Sequence, residues 1–382
     1  MPPDRCEGST SAAKESSDTF ARVQHVEARG GRGGMGWYPP TMRAEPVSLR
    51  HLHRLCFDVV QRSPTAAELR NLTGAEPRQV VERLVRSREA MSAWFEEELY
   101  YFLLLDNFRP RGDAVERIPA RLQQGEMDVR GVLGEILLST GFSLRNPGND
   151  TFVTVVLEQC LGYRVQDARV KPVLAAGKRV YDGRKDRFLG ADAQTQADLI
   201  RIVLEHVDCT RHLLSRHHQR LLGTPLPADA PEVAVVHGDP KRFWDVLTDW
   251  LVSPAYVAML ATPRTKNERQ FLRGMWQDLL ERTPGPDEMR NLRNAMQSMA
   301  DPAPLRSVLA KVVLDSGQAK LPQGAEEGVD PATCVTECFR RFLARDPVDA
   351  EREAFVKALR EQGATRQHVV RALVGSLEYR SY

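Results

Sequence analysis

The sequence predicts an all-α fold: duplicated three-helix units of about fifty residues, packed as an irregular helical bundle or array. Three observations carry that expectation. From Val47 onward, apolar residues recur at three- and four-residue steps, the period of one helix face. The string Arg-x-Pro-x3-Glu occurs at Arg62, Pro64 and Glu68, at Arg282, Pro284 and Glu288, and at Arg345, Pro347 and Glu351. Five segments end in two apolar residues, any residue, then Ser, at Ser87, Ser139, Ser253, Ser316 and Ser376.

Each part of these strings has a physical task. The apolar pair packs a helix end, Pro fixes φ in the turn, and Ser accepts the first free amides of the next helix. The Arg pairs with the Glu or binds free carbonyls at the helix end. Leu221-Leu222-Gly223-Thr224-Pro225 reads as a further copy without its Arg. The distance from Glu to Ser is 19, 28 and 25 residues in the three copies, which argues against a strict solenoid.

Residues 1–45 are rich in Ser, Gly and charge and have no apolar period, so a disordered tail is expected there. A first helical unit spans 46–145. It holds the face Leu52, Leu55, Cys56, Val59 and Val60, a second stripe ending at Ser87, and an aromatic helix around Trp94, Phe95 and Phe102. A middle region, 146–260, contains the Gly-rich, irregular stretch 164–195 and one long amphipathic helix from Ala197 to Leu222. A unit at 261–322 carries the second Arg-x-Pro string, and a final unit fills 330–382.

Bulk composition narrows the function classes. Hydrophobic residues make up 42% and charged residues 27% of the 382, and the formal charge is +2. That balance is unlike a duplex nucleic-acid binder, which relies on a basic excess. The one nucleic-acid signal is a possible RNA contact at Arg29-Gly30-Gly31-Arg32-Gly33-Gly34. No apolar run reaches the ~18 residues of a membrane span. The opening residues lack the apolar core of a signal peptide, and a cytoplasmic location is expected. Six sparse cysteines read as reduced, buried thiols.

The Arg62-x-Pro64-x3-Glu68 string, then Leu84-Val85-x-Ser87 and the Trp94 helix, resembles the opening of planctomycete-type, cytochrome-associated helical domains of unknown function. Gly177-Lys178-x3-Asp182-Gly183 and Leu251-Val252-Ser253-Pro254-Ala255-Tyr256 are similar to a related uncharacterised helical family. The last unit is similar to short helical domains ending in Ser-x-Glu-Tyr. The resemblance implies helical bundles with no established catalytic residues. Many such relatives carry haem modules; this chain has no Cys-x-x-Cys-His.

The sharpest chemical candidate is a run of His206, Cys209, His212, His217 and His218, all metal-capable and all placed on one long helix. His206, Cys209, His212 and His217 are the candidate ligands, opposed by Arg211, Arg216 and Arg220 in the same stretch. Cys334 and Cys338 form an i, i+4 pair, and His51 and His53 are expected on an exposed helix face. Glu96, Glu97 and Glu98 read as a charged face, and Arg109–Asp113 contains a chance Arg-Gly-Asp. The P-loop, Gly-x-Ser-x-Gly and His-Glu-x-x-His spacings do not occur. The reading is therefore a non-enzymatic helical scaffold or protein-interaction component, with no cofactor implied and a protein partner or self-assembly expected. The alternatives are a metal-binding protein or enzyme with a site near His206–His218, and RNA binding through 29–34.

Overall fold

The computed structural model describes residues 45–103, 116–299, 303–324 and 327–382. The tail, the Arg/Gly run at 29–34 and Arg109–Asp113 lie outside them. Twenty α-helices, short 3-10 helices that include Pro240–Arg242 and Glu378–Arg380, and one two-stranded hairpin account for the regular structure among the described residues. The fold is all-α.

Helix caps divide the helices into successive groups of three. The first holds α1 (Leu49–Val59), α2 (Ala66–Leu72) and α3 (Pro77–Val85). The second holds α4 (Arg88–Leu103), α5 (Ile118–Gln124) and α6 (Val129–Leu137). After a short α7 (Thr140–Arg145), the third holds α8 (Gly148–Leu161), α9 (Lys171–Tyr181) and α10 (Gln196–Glu205). The hairpin of β1 (Asp186–Phe188) and β2 (Ala191–Ala193) lies between α9 and α10, with Phe188 opposite Ala191. The fourth group is α11 (Val207–Leu222), α12 (Pro231–Gly238) and α13 (Phe243–Leu251), followed by α14 (Pro254–Met259). The fifth is α15 (Glu268–Leu280), α16 (Pro286–Gln297) and α17 (Ala303–Asp315). The sixth is α18 (Pro331–Leu343), α19 (Asp349–Glu361) and α20 (Arg366–Gly375).

The stretch expected as one long helix from Ala197 to Leu222 is two. His206 leaves the helical region (φ −79°, ψ 137°), ends α10, and caps α11 by accepting the Asp208 N–H on Nδ1 at 3.2 Å. Val203-Leu204-Glu205-His206 thus stands where other groups have apolar-apolar-x-Ser. The reason is chemical: an imidazole nitrogen accepts an amide hydrogen as a serine oxygen does.

Two apolar cores form. One runs from Val47 to Tyr256 and gathers the first four groups; the other runs from Phe271 to Tyr379 and gathers the last two. Packing recurs between them: α13 lies on α3 as α20 lies on α17, and α12 lies on α11 as α19 lies on α18. The cores are sewn together at α1 and α15. The Gly274 Cα approaches so closely that an added Cβ would stand 3.0 Å from Phe57 Cζ. Main-chain bonds join Arg264 with Tyr382 and Lys266 with Arg380, extending the seam. Because α1 is packed between these layers, every residue from His51 to Asp58 is buried. His51 and His53 are therefore interior, not on the exposed face their spacing suggested.

Candidate functional site

The Arg-x-Pro strings fold into one recurring corner. The residue before the Arg closes its helix in the left-handed region: Gln61 (φ 58°), Glu281 (φ 54°) and Ala344 (φ 56°). At Arg62, Nη1 donates to its neighbour's carbonyl, Ser63 O, at 2.8 Å. Nη1 and Nη2 also grip Glu68 at 2.7 and 3.0 Å, while Glu68 accepts the Thr65 N–H at 2.7 Å. Arg62 Nε and Nη2 grip a second carboxylate, Glu89, at 2.7 and 2.8 Å. Arg345 repeats the whole set with Asp346 O, Glu351 and Glu378. Arg282 makes the bonds to Thr283 O and Glu288, and Glu288 accepts the Gly285 N–H. Burial works against the charge of Arg62, but the bonds to Glu68 and Glu89 outweigh it and raise its pKa. Glu288, bonded first of all by Arg282, is held at about 2.

The serines act as both donor and acceptor at the far end of each group. Ser87 Oγ donates to Leu84 O and accepts Ala90 N–H; Ser139, Ser253 and Ser376 do the same with Ile136 and Phe142, Trp250 and Tyr256, and Leu373 and Tyr379. Ser316 donates to Val313 O and accepts the Gln318 N–H.

Two buried carboxylates sit four residues before motif arginines and tie the groups to one another. Asp58 accepts from Arg54 Nε at 3.0 Å, Tyr256 OH at 2.9 Å, Tyr382 OH at 3.0 Å and Arg264 Nη1 at 3.1 Å. Asp278 accepts from Ser63 Oγ at 2.9 Å and Tyr379 OH at 2.7 Å. Tyr256 and Tyr379 each stand three residues after a cap serine. The main-chain oxygens match too: Arg220 donates to Asp58 O at 2.9 Å and Arg341 to Asp278 O at 2.6 Å. Beside Asp278, the Lys266 ammonium donates to Tyr379 O at 2.6 Å and lies over the Tyr379 ring. Burial lifts Asp278 to about 6, against the pull of Lys266, and lowers Lys266 to about 8, against the pull of Asp278. None of these aspartates was singled out from the sequence, although Asp-x3-Arg-x-Pro and Ser-x-x-Tyr were there to be read.

The His-rich stretch is distributed among separate partners. His206 is the α11 cap, and Cys209 is buried, its thiol pushed up to about 12 by burial. His212 meets Tyr101 OH at 3.2 Å and is lowered by burial to about 4. His217 Nε2 receives the Trp94 indole N–H at 3.2 Å and lies 3.3 Å from Glu98 Oε1. His218 Nδ1 pairs with Thr224 O at 2.7 Å. Among the described residues, no group of three or more His, Cys, Asp or Glu side chains is arranged to hold a metal ion.

Glu98 belongs to the interior rather than to a solvated face. Burial would raise it, but Arg216, at 2.7 Å, outweighs burial and holds it ionised, at about 2. The neighbouring Glu97 pairs with Arg220, and the hollow they share with Asp58 and Trp94 has a volume of about 20 Å³, room for about one water. No family model, curated protein or solved structure matches the chain. No helix among the described residues is long and apolar enough to cross a membrane.

Proposed function

We propose that the chain is a non-enzymatic helical scaffold, an assembly component that presents its outer surfaces to a protein partner or to further copies of itself. One observation carries the reading: the buried carboxylates Asp58, Glu98 and Asp278 each join one helix group to another. Asp58 gathers donors from α1 and from segments beginning some two hundred residues later, and Asp278 bonds Ser63 and Tyr379 from the first and last groups. Groups spent on holding a shape are not free to move protons or bind substrate, and stacked helical units characteristically work through the surface they hold.

The proposal extends to origin and setting. The recurring corner supports descent of the helix groups from one duplicated three-helix unit, and kinship with the planctomycete-type helical domains. The five cysteines among the described residues are free and buried, in keeping with a cytoplasmic setting. The test is cross-linking mass spectrometry in cells making the chain at native level. Stoichiometric links from fixed surface positions to one recurring protein, or to a second copy, support the scaffold. A chain that stays monomeric and unlinked while the purified protein turns over a small molecule sinks it.

A further inference from the structure

Among the described residues the corner device is complete in two groups and open in one. In the first and sixth groups the Arg fork is filled twice, by its own-corner glutamate and by an acid two residues beyond the cap serine: Glu89 after Ser87, Glu378 after Ser376. In the third group both members change together. Tyr163 takes the Arg position after Gly162 (φ 69°), and its hydroxyl donates at 2.7 Å to Asp208, two residues beyond the cap His206. In the fourth group both are gone, leaving Thr224 and Ala255.

The fifth group keeps the cation and lacks the acid. Two residues beyond Ser316 stands Gln318, exposed, and Arg282 grips Glu288 alone. Its Nε–H and outward Nη2–H, the pair that holds the second carboxylate at Arg62 and Arg345, meet no acceptor among the described residues. Exposure follows: the side chain of Arg282 is 47% exposed, against 7% for Arg62 and 32% for Arg345.

We infer that the outward edge of Arg282 receives a carboxylate from a partner protein, an acidic side chain in the first turn of a partner helix. The occupant's form comes from the internal cases. Glu89 lies in the first turn of α4, Asp208 in the first turn of α11, and Glu378 in a one-turn 3-10 helix. After Ser316 no helix begins; the chain turns at Gly317 (φ 71°) and runs on without regular structure. A planar guanidinium with one edge fixed by Glu288 and the other free is preset for a second two-pronged carboxylate bond. The inference rests on the scaffold reading and gives its contact a chemistry.

The probe is acetyl-Ser-Leu-Glu-Tyr-Arg-amide, the chain's own cap segment, titrated into full-length protein labelled with 15N at arginine. The Nε–H signal of Arg282, assigned by its loss in Arg282→Lys, is expected to shift and saturate. The Gln version of the peptide, and acetate at equal concentration, are expected to leave it in place. Gln318→Glu supplies the acid from within, so this variant is expected to melt higher and to bind the peptide at least tenfold more weakly. An equal shift with the Gln peptide or with acetate, or undiminished peptide binding by Gln318→Glu, overturns the inference. If cross-linking finds a partner and the peptide fails, this contact falls and the scaffold reading stands.

Discussion

Replacing Asp278 by Asn isolates one buried ionisation and gives it a sign. In the folded protein Asp278 titrates at about 6 instead of 3.8, so the fold favours its protonated form. The stability this contributes is fully present below pH 3.8 and is lost as pH rises through about 6. The difference corresponds to about 3 kcal/mol. Lys266 behaves in the opposite direction: its pKa falls from 10.5 to about 8, so its contribution is present above 10.5 and lost as pH falls through about 8. That is again about 3 kcal/mol. Between about 6 and 8, therefore, both charges are buried together, and each lessens the penalty of the other.

Urea unfolding across this range, for wild type and variants, reads the pair directly. The stability of wild type relative to Asp278→Asn should fall by about 2 kcal/mol between about pH 4 and pH 6, and by about 3 kcal/mol between about pH 3 and pH 7. At neutral pH, where wild type carries the penalty of its buried Asp278 anion, Asp278→Asn should be the more stable of the two by about 2–3 kcal/mol. The double variant Lys266→Met/Asp278→Asn removes both charges and should return to wild-type stability or exceed it by about 1–4 kcal/mol. A flat difference between wild type and Asp278→Asn from pH 4 to pH 6, or an Asp278→Asn chain less stable than wild type at neutral pH, would rule out a penalised Asp278 anion in the interior.

Three further outcomes follow from the same geometry. Arg62→Ala should cost about 2–3 kcal/mol in chemical unfolding because it removes a buried cation from one largely buried and one half-exposed carboxylate, whereas Arg282→Ala, at an exposed corner, should cost under about 1 kcal/mol; equal losses would contradict a difference set by burial. Glu98→Gln should remove an acid-side component of about 3 kcal/mol: with Glu98 lowered from 4.5 to about 2, that stability is present above 4.5 and lost as pH falls through about 2. Gly274→Ala places a Cβ 3.0 Å from the buried Phe57 ring and 3.2 Å from Ser63 Oγ. It should cost about 1–3 kcal/mol, and Phe57→Leu in the same chain should recover part of the loss, read as coupling in a double-mutant cycle.

Local strings made much of the helical plan legible, and long-range pairing hid the rest. Arg62, Pro64 and Glu68 interact within seven residues, so their corner is written in one stretch of sequence. The partner of Asp58 on Tyr256 is 198 residues away, and that of Asp278 on Tyr379 is 101 residues away. No single-sequence periodicity reports contacts at such distances. His206 misled for a related reason: an apolar stripe continues through it from α10 into α11, and only its capping bond reveals the break. Glu98 looked like part of a charged face because its counter-ion, Arg216, is 118 residues further along.

The histidine, glutamate and arginine side chains between α4 and α11 are engaged with one another: Arg216 and His217 meet Glu98, and His212 meets Tyr101. Metal content by mass spectrometry on untagged protein, measured beside its mass in solution by light scattering, reads whether any of these side chains also holds a metal ion. Far less than one equivalent of any transition metal is expected, together with a defined assembly, alone or with a partner. Near one equivalent of zinc or iron, lost in His212→Ala or His217→Ala while the fold is retained, would contradict it.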